Sequence, residues 1–394
     1  MSFTAQLAKV SGIDNISRAP LRPVLILTIN NGAAHTRAAI AIAAAWRKIN
    51  LKIPAQVVEV SEFMSRKARF THITAYLWLV KNAPAVWGKI DAYQKRQTQT
   101  SPEWFYRREC RKLFELVREI QPVAILSTEV GCGEIAALIK RDLKLNIPLV
   151  AVNLDYDADR AWIQPEVDLY CLATDLIKKD FLRQGADAEK VKIWGAPLNL
   201  EFRRLSKTER QAERAKICES FKFDPKEPIV LVSGGGEGLG EIEKIVKRLS
   251  ELKRQIVILT GRNEKLKRRC EKLEDKKRIR VLGWTEKVPA LMQSADLLVS
   301  KLGLTFYEAM ACGLPIVALE PPPGAERFQY NLLENFGVGR AVKTVEEVSE
   351  AVGKLLNDKK MLPKMRIKTE TVGQLQAAEK LAWWIQERIE KRDE

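Results

Sequence analysis

At 394 residues the chain exceeds the usual size of one domain, and two domains of roughly 150–200 residues are the first expectation. Its 46% apolar content suffices for two cores, yet the apolar runs fall short of the ~20 residues a membrane-spanning helix needs. The net charge of +16 is uneven: residues 1–120 hold 19 Lys and Arg against 8 Asp and Glu, a field that attracts nucleic acid or anionic lipid alike. No nucleic-acid-reading motif accompanies it, which excludes a nucleic-acid partner from our expectation and favours a lipid surface.

Six scattered cysteines without a CxxC pair speak against a disulfide framework or a zinc site. The opening residues lack the pattern of a secretory leader, so a cytoplasmic protein is expected.

Short β-rich runs alternate with helical patterns, as in βα units on parallel sheets. In the first half, strands are predicted at 24–27, 56–60, 123–127, 149–152, 169–173 and 191–194. Helices are predicted at 34–50, 103–120, 134–145 and 176–184. The alternation lapses over the polar, helical stretch 197–225. A second set of strands follows at 229–233, 256–260, 278–282, 297–300 and 316–319, and a last helix at 374–392 carries Trp383 and Trp384. This is an α/β chain of two doubly wound, Rossmann-like domains, 1–200 and 201–373, with 374–394 packing back on the first.

In open α/β sheets ligands sit beyond the carboxyl ends of strands, so the strand-to-helix loops hold the candidate chemistry. "NNGAAH" comes first: Gly32 permits a tight turn, and His35 stands at a helix mouth where a base working near neutral pH could act. A plain cap or packing role for His35 stays open. In "VLVSGGGEGLGEIEK", a buried strand runs into Gly234, Gly235, Gly236, Gly238 and Gly240, whose backbone amides could wrap a diphosphate. It is neither a Walker loop nor a clean dinucleotide fingerprint, since "TGRNEKL" stands where an acidic residue would follow the next strand. "LLVSKLGLTFYEAMACGLP" is another strand–glycine–helix junction, with Glu308 able to accept ribose hydroxyls.

Over 71–97, Tyr76, Trp78, Trp87 and Tyr93 are interleaved with Lys81, Lys89, Lys95 and Arg96, which suits an anionic membrane interface or, equally, a core helix with a solvated face. In "NLDYDADRAW", Asp155, Asp157 and Asp159 have calcium-like spacing but lack the Gly and distal Glu of a calcium loop, so no metal is expected. Asp155, Asp157, Asp159 or Glu129 competes with His35 for the role of base.

In this order, "NGAAHTRAAIAIAAAW", "KNAPAVWGKI", "VKIWGAPLNLEF", "GGGEGLGEIE", "LTGRNEKL", "VLGWTEKVPALMQSADLLVSK" and "EAMACGLPIVA" resemble a family 28 glycosyltransferase of the GT-B type. The likeness is to the monogalactosyldiacylglycerol synthase and diacylglycerol glucosyltransferase branch and spans nearly the whole chain. It implies two domains facing across a cleft, the second holding a UDP-sugar and the first admitting a lipid acceptor from the cytosolic leaflet, as a peripheral membrane protein. Gly235, Gly236, Glu237 and Gly238 would approach the diphosphate, and Arg262 and Asn263 would line the nucleotide site. Trp284 and Val288 would contact uracil and Glu308 the ribose, with Gly303, Thr305 and Glu326 completing the donor side. His35 would face the reacting centre.

The implied reaction is inverting transfer of a hexose from UDP-glucose or UDP-galactose to a lipid, diacylglycerol first, with no metal or other cofactor. A polyprenyl-linked or other acceptor, or a silent UDP-sugar-binding protein, is the alternative. The chain departs from the family in having "TEVGCGE" and "DYDADRAW" at its His-Pro positions, and Gly324-Ala325-Glu326 for its Gly-Gln-Glu.

Overall fold

The computed structural model describes residues 22–29, 33–94, 96–156, 158–275, 277–320, 328–372 and 376–393. The chain forms two compact units, Met1–Asn199 with Leu375–Glu394, and Leu200–Gln374. Each is built on a six-stranded parallel sheet.

In the first unit β1 (Val24–Thr28), β2 (Ala55–Glu59), β3 (Ala124–Ser127), β4 (Leu149–Val152), β5 (Leu169–Leu172) and β6 (Val191–Ile193) lie in the order β2-β1-β3-β4-β5-β6. In the second, β7 (Ile229–Ser233), β8 (Gln255–Leu259), β9 (Ile279–Leu282), β10 (Leu297–Ser300), β11 (Ile316–Leu319) and β12 (Gly339–Val342) lie in the order β12-β11-β10-β7-β8-β9. The central strands are buried from both faces, which is why runs such as "VLILT" and "IVLVS" are apolar without alternation.

Among the helices, α1 (Ala33–Ile49) follows β1 and α2 (Val130–Asp142) follows β3, and α3 (Lys207–Phe221) opens the second unit. Within that unit α4 (Ile242–Ser250), α5 (Glu264–Glu271), α6 (Val288–Ser294) and α7 (Leu304–Ala311) follow β7, β8, β9 and β10 in turn, and α8 (Met361–Val372) comes later. The final helix, α9 (Ala377–Asp393), packs on α1. Both helices are rich in alanine where they bury: Ala38, Ala39 and Ala43 in α1, Ala377, Ala378 and Ala382 in α9. Small side chains let α1 lie close to α9 as well as to β1 and β2, and Asn50 Nδ2 donates to Gln386 Oε1 at 2.8 Å across the pair.

Several elements differ from the sequence reading, and for three of them the residues give the reason. The helix predicted at 103–120 is two, Glu103–Glu109 and Arg111–Ile120, because Cys110 leaves helical geometry (φ −101°, ψ 17°). α2 begins four residues earlier than predicted, since Glu129 caps it by accepting from Cys132 N at 3.0 Å. β12 was not predicted: it is a half-exposed edge strand opening on Gly339, where a Cβ would sit 2.2 Å from the carbonyl oxygen of Ile316 in β11. Its pairing depends on that bare backbone rather than on an apolar run.

α2 also carries a buried carboxyl. Thr100 N donates to Glu134 Oε1 at 2.7 Å and Tyr106 OH to Oε2 at 3.0 Å, while the Thr100 hydroxyl closes on Oε2. Burial raises the Glu134 pKa from 4.5 to about 8, against the opposing effect of these hydrogen bonds. The folded chain therefore holds a proton that the unfolded chain releases above pH 4.5. The resulting stabilisation is full below that pH and is lost as pH rises through about 8. Glu134→Gln should flatten the decline of the thermal midpoint between pH ~5 and ~9. Identical pH profiles for the two proteins would count against a protonated Glu134.

Candidate active site

Strand order locates the crevices. In the first sheet the chain leaves β1 for β2 on one side and resumes at β3 on the other; in the second it leaves β7 for β8 and resumes at β10. These reversals open a gap beyond the carboxyl ends of β1 and β3, and of β7 and β10.

His35 stands at the first gap, in the opening turn of α1. Its Nδ1 lies 2.5 Å from the carbonyl oxygen of Thr128, the residue after β3. A carbonyl only accepts, so Nδ1 carries the hydrogen of this bond and Nε2 is the ring nitrogen left for other partners. Thr128 is held in turn, its N and Oγ1 donating to Leu27 O at 3.1 and 3.4 Å. The hydroxyls of Thr28, Thr36 and Ser127, at or near the same strand ends, are buried with no hydrogen-bond partner among the described residues.

Asp155 is half-buried in the loop after β4, two strand positions from β1, or about 10 Å along the sheet. Glu129 is occupied as the α2 cap. Gly32, Asp157 and Glu326 lie outside the described residues.

At the second gap the glycine loop folds on itself. A Cβ on Gly234 would meet Gly238 backbone at 2.7 Å, and one on Gly238 would meet Thr260 O at 2.3 Å. Gly261 is equally constrained, with Gly236 O 2.2 Å from where its Cβ would be. The loops after β7 and β8 thus touch backbone to backbone, joined by Arg262 N donating to Gly236 O at 2.8 Å. Asn263 serves both, capping α5 through Leu266 N at 2.9 Å and reaching Gly238 O with Nδ2 at 3.4 Å.

Arg262 stacks over Trp284 at 4.0 Å and meets Glu237 at 3.5 Å, so the loops after β7, β8 and β9 share one cation. Val288 opens α6, half-buried, four residues beyond Trp284. From the β10 side, Gly303 (φ +145°) caps α7 and Thr305 is half-buried in its first turn. Glu308 is 2% exposed inside α7; burial first, and its charge second, push the Cys312 thiol up.

The structure therefore groups Gly235, Gly236, Glu237, Gly238, Arg262, Asn263 and Trp284, while Gly303, Thr305 and Glu308 belong to the neighbouring β10–α7 junction. Sequence reasoning missed Thr128, whose backbone carbonyl orients His35, and Gly261, for which "TGRN" was the available sign. It also passed over Lys301, whose Cε lies 3.9 Å from the Cβ position of Gly235.

The helices over 66–94 display Phe70, Trp78, Val86 and Tyr93, each at least half exposed, beside exposed Arg66, Lys67, Arg69, Lys89 and Arg96. Among the described residues, no helix is long and apolar enough to cross a membrane.

Comparison with known proteins agrees with this layout. Residues 35–198 match the family model of monogalactosyldiacylglycerol (MGDG) synthase, and residues 213–372 that of glycosyl transferases group 1. A processive diacylglycerol beta-glucosyltransferase of Bacillus licheniformis is 28% identical over 358 residues, covering 87% of this chain and 89% of that protein. Acinetobacter baumannii MurG superposes with a TM-score of 0.60 at 15% identity, covering 93% of this chain and 99% of that one. Anabaena HepE, solved with UDP and glucose, gives 0.54 at 14% identity, covering 92% and 99%.

The chain is a glycosyltransferase with the GT-B fold of two Rossmann-like domains. Within that class it is similar to the MGDG synthases and the processive diacylglycerol glucosyltransferases, a likeness that fits a family 28-like enzyme.

Proposed function

We propose that the chain transfers a hexose from UDP-glucose or UDP-galactose to diacylglycerol, with inversion, as a peripheral protein on the cytosolic membrane face. The domain holding β1–β6 takes the lipid and the domain holding β7–β12 the nucleotide-sugar. The names of the relatives support the lipid, and the UDP and glucose in HepE support the donor. The observation that carries the chemistry is the His35–Thr128 contact, which leaves Nε2 as the ring nitrogen available to a substrate.

In this reaction Nε2 takes the proton of the acceptor hydroxyl, whose oxygen attacks the anomeric carbon. The bond from that carbon to the diphosphate oxygen breaks, and UDP leaves with the electron pair. Amides of the glycine loop, the cations Lys301 and Arg262, and the positive end of α4 stabilise the departing charge. Asp155 and Asp157 stand as the rival bases. We assign Trp284 and Val288 to uracil, and Gly303, Thr305, Glu308 and Glu326 to the ribose and sugar.

The test is incubation of purified protein with labelled UDP-glucose or UDP-galactose and diacylglycerol vesicles. Label is expected in the lipid phase with one of the donors. UDP-sugar binding without transfer or hydrolysis would reduce the chain to a binding protein, and label carried only by a polyprenyl acceptor would reject diacylglycerol.

The exposed aromatic and apolar side chains between Arg66 and Arg96 favour membrane docking over a buried helix, since they would otherwise face water. Trp78→Ala combined with Trp87→Ala should lower binding to anionic vesicles at least ~10-fold, read by sedimentation, because each interfacial indole contributes roughly 1–2 kcal/mol. Unchanged sedimentation would return the segment to a role within the fold.

A further inference from the structure

A second cationic centre lies at the opposite end of the second sheet from the glycine loop. A pocket of about 310 Å³ there is lined by Arg204, Lys207, Arg210, Arg214 and Arg366 beside Gly313. Asp296, just before β10, ties it to the amino ends of the strands: its Oδ2 accepts from Ile229 N at 3.0 Å, and its own N donates to Ile229 O at 2.9 Å. Strands of four or five residues put roughly 13–17 Å between this pocket and the glycine loop.

Part of the cluster has a structural duty. Arg210 and Arg214 donate to the carbonyls of Gln293, Ser294 and Ala295 at the carboxyl end of α6, and both pair with Asp296, at 2.9 and 2.8 Å. Arg204 pairs with Glu370 at 2.7 Å. Gly313 (φ +72°) is needed here, since a Cβ would sit 3.1 Å from the Arg204 guanidinium carbon.

These ion pairs use two carboxylates for three arginines, and among the described residues neither of the other two cations forms one. Among the described residues Arg366 donates only to carbonyl oxygens, those of Ala295 at 3.2 Å and Asp296 at 3.5 Å, through Nη2. Its Nε and Nη1, and Lys207 Nζ, have no partner among the described residues. Burial, and after it the charges of Arg210, Arg204 and Arg214, press the Arg366 pKa down to about 10, although Asp296 opposes them. A concave cluster of like charges that lacks counter-charge is costly to assemble, and an anion relieves that cost. Fork-shaped guanidinium groups suit the tetrahedral oxygens of phosphate.

We infer that this pocket is a second anion site, separate from the donor site, and takes a phosphoryl group carried by a small organic phosphate or a lipid headgroup.

The full chain, saturated with UDP, would be titrated calorimetrically with inorganic phosphate and glycerol 3-phosphate, and floated with phosphatidylglycerol or phosphatidylcholine vesicles. Lys207→Glu reverses an exposed, unpaired charge without touching the arginine lattice, and Arg366→Gln removes the central one. Each should weaken phosphate binding about tenfold or more, the worth of one charge-assisted contact. If both soluble phosphates lose affinity in Lys207→Glu, free phosphates are the source. If only phosphatidylglycerol flotation does, the source is a headgroup.

Unchanged binding in Lys207→Glu, or no phosphate-dependent binding to the UDP-saturated chain in any arm, would overturn the site. Failure of UDP itself to bind would reject the donor reading while leaving the phosphate titration interpretable.

Discussion

His35→Ala should lower turnover about 10²–10⁴-fold while leaving UDP affinity within about twofold. The split between the two readouts is the informative part. Imidazole is offered as a proton acceptor from the acceptor hydroxyl, a role felt only as the new bond forms. The glycine loop proposed to hold UDP belongs to the other compact unit. His35 Nδ1 is already committed to Thr128 O at 2.5 Å, so the ring cannot trade roles between its nitrogens without losing that anchor. His35→Asn could restore the Thr128 hydrogen bond but not the base, and should be as slow as alanine. Steady-state turnover with calorimetric UDP titration measures both effects. Activity that survives in His35→Ala and disappears in Asp155→Ala or Asp157→Ala would move the base to the loop after β4.

Gly238→Ala should destabilise the second unit by about 2–4 kcal/mol and abolish measurable UDP binding. Two costs combine. The residue has φ +59°, unfavourable for alanine by about 1–2 kcal/mol. The new methyl would also stand 2.3 Å from Thr260 O and 2.8 Å from Asn263 Cβ. Neither neighbour can yield freely, because Thr260 N is bonded to Leu282 O at 2.9 Å and Asn263 caps α5. For a unit of this size the melting midpoint should fall roughly 5–15 °C. Gly240→Ala is the matched control: φ is +95°, but nothing lies within 4 Å of the added carbon, so it should cost only about 1–2 kcal/mol of backbone strain. Equal midpoints for the two variants would show that the loops after β7 and β8 do not depend on bare backbone contact.

These residues also show where sequence reading reached and where it stopped. Eleven of the twelve strands were legible because parallel sheets bury both faces and write themselves as apolar runs, "IVLVS" and "LLVS" among them. β12 escaped because its place is set by Gly339 against Ile316 O, a contact without a hydrophobic signature. The glycine loop was legible as a loop with a purpose. That Gly234 meets Gly238, and Gly261 meets Gly236, was not, because it depends on how two strand ends lie side by side. Arg262 and Trp284 are 22 positions apart, and only the pairing of β8 with β9 brings them to 4.0 Å. Thr128 acts through its carbonyl, a group every residue possesses, so no side-chain motif could reveal it. The arginine pocket draws Arg204 and Arg366 together across 162 positions, beyond any local pattern.

The docking of α9 on α1 has a consequence for biogenesis. The lobe that begins first on the ribosome is completed by the segment translated after Leu200–Gln374, a stretch of 175 residues. At about 5–20 residues per second, the alanine face of α1 waits roughly 10–35 s for its cover. During that interval the part of α1 that α9 later covers lacks that partner, while its packing on β1 and β2 can already form.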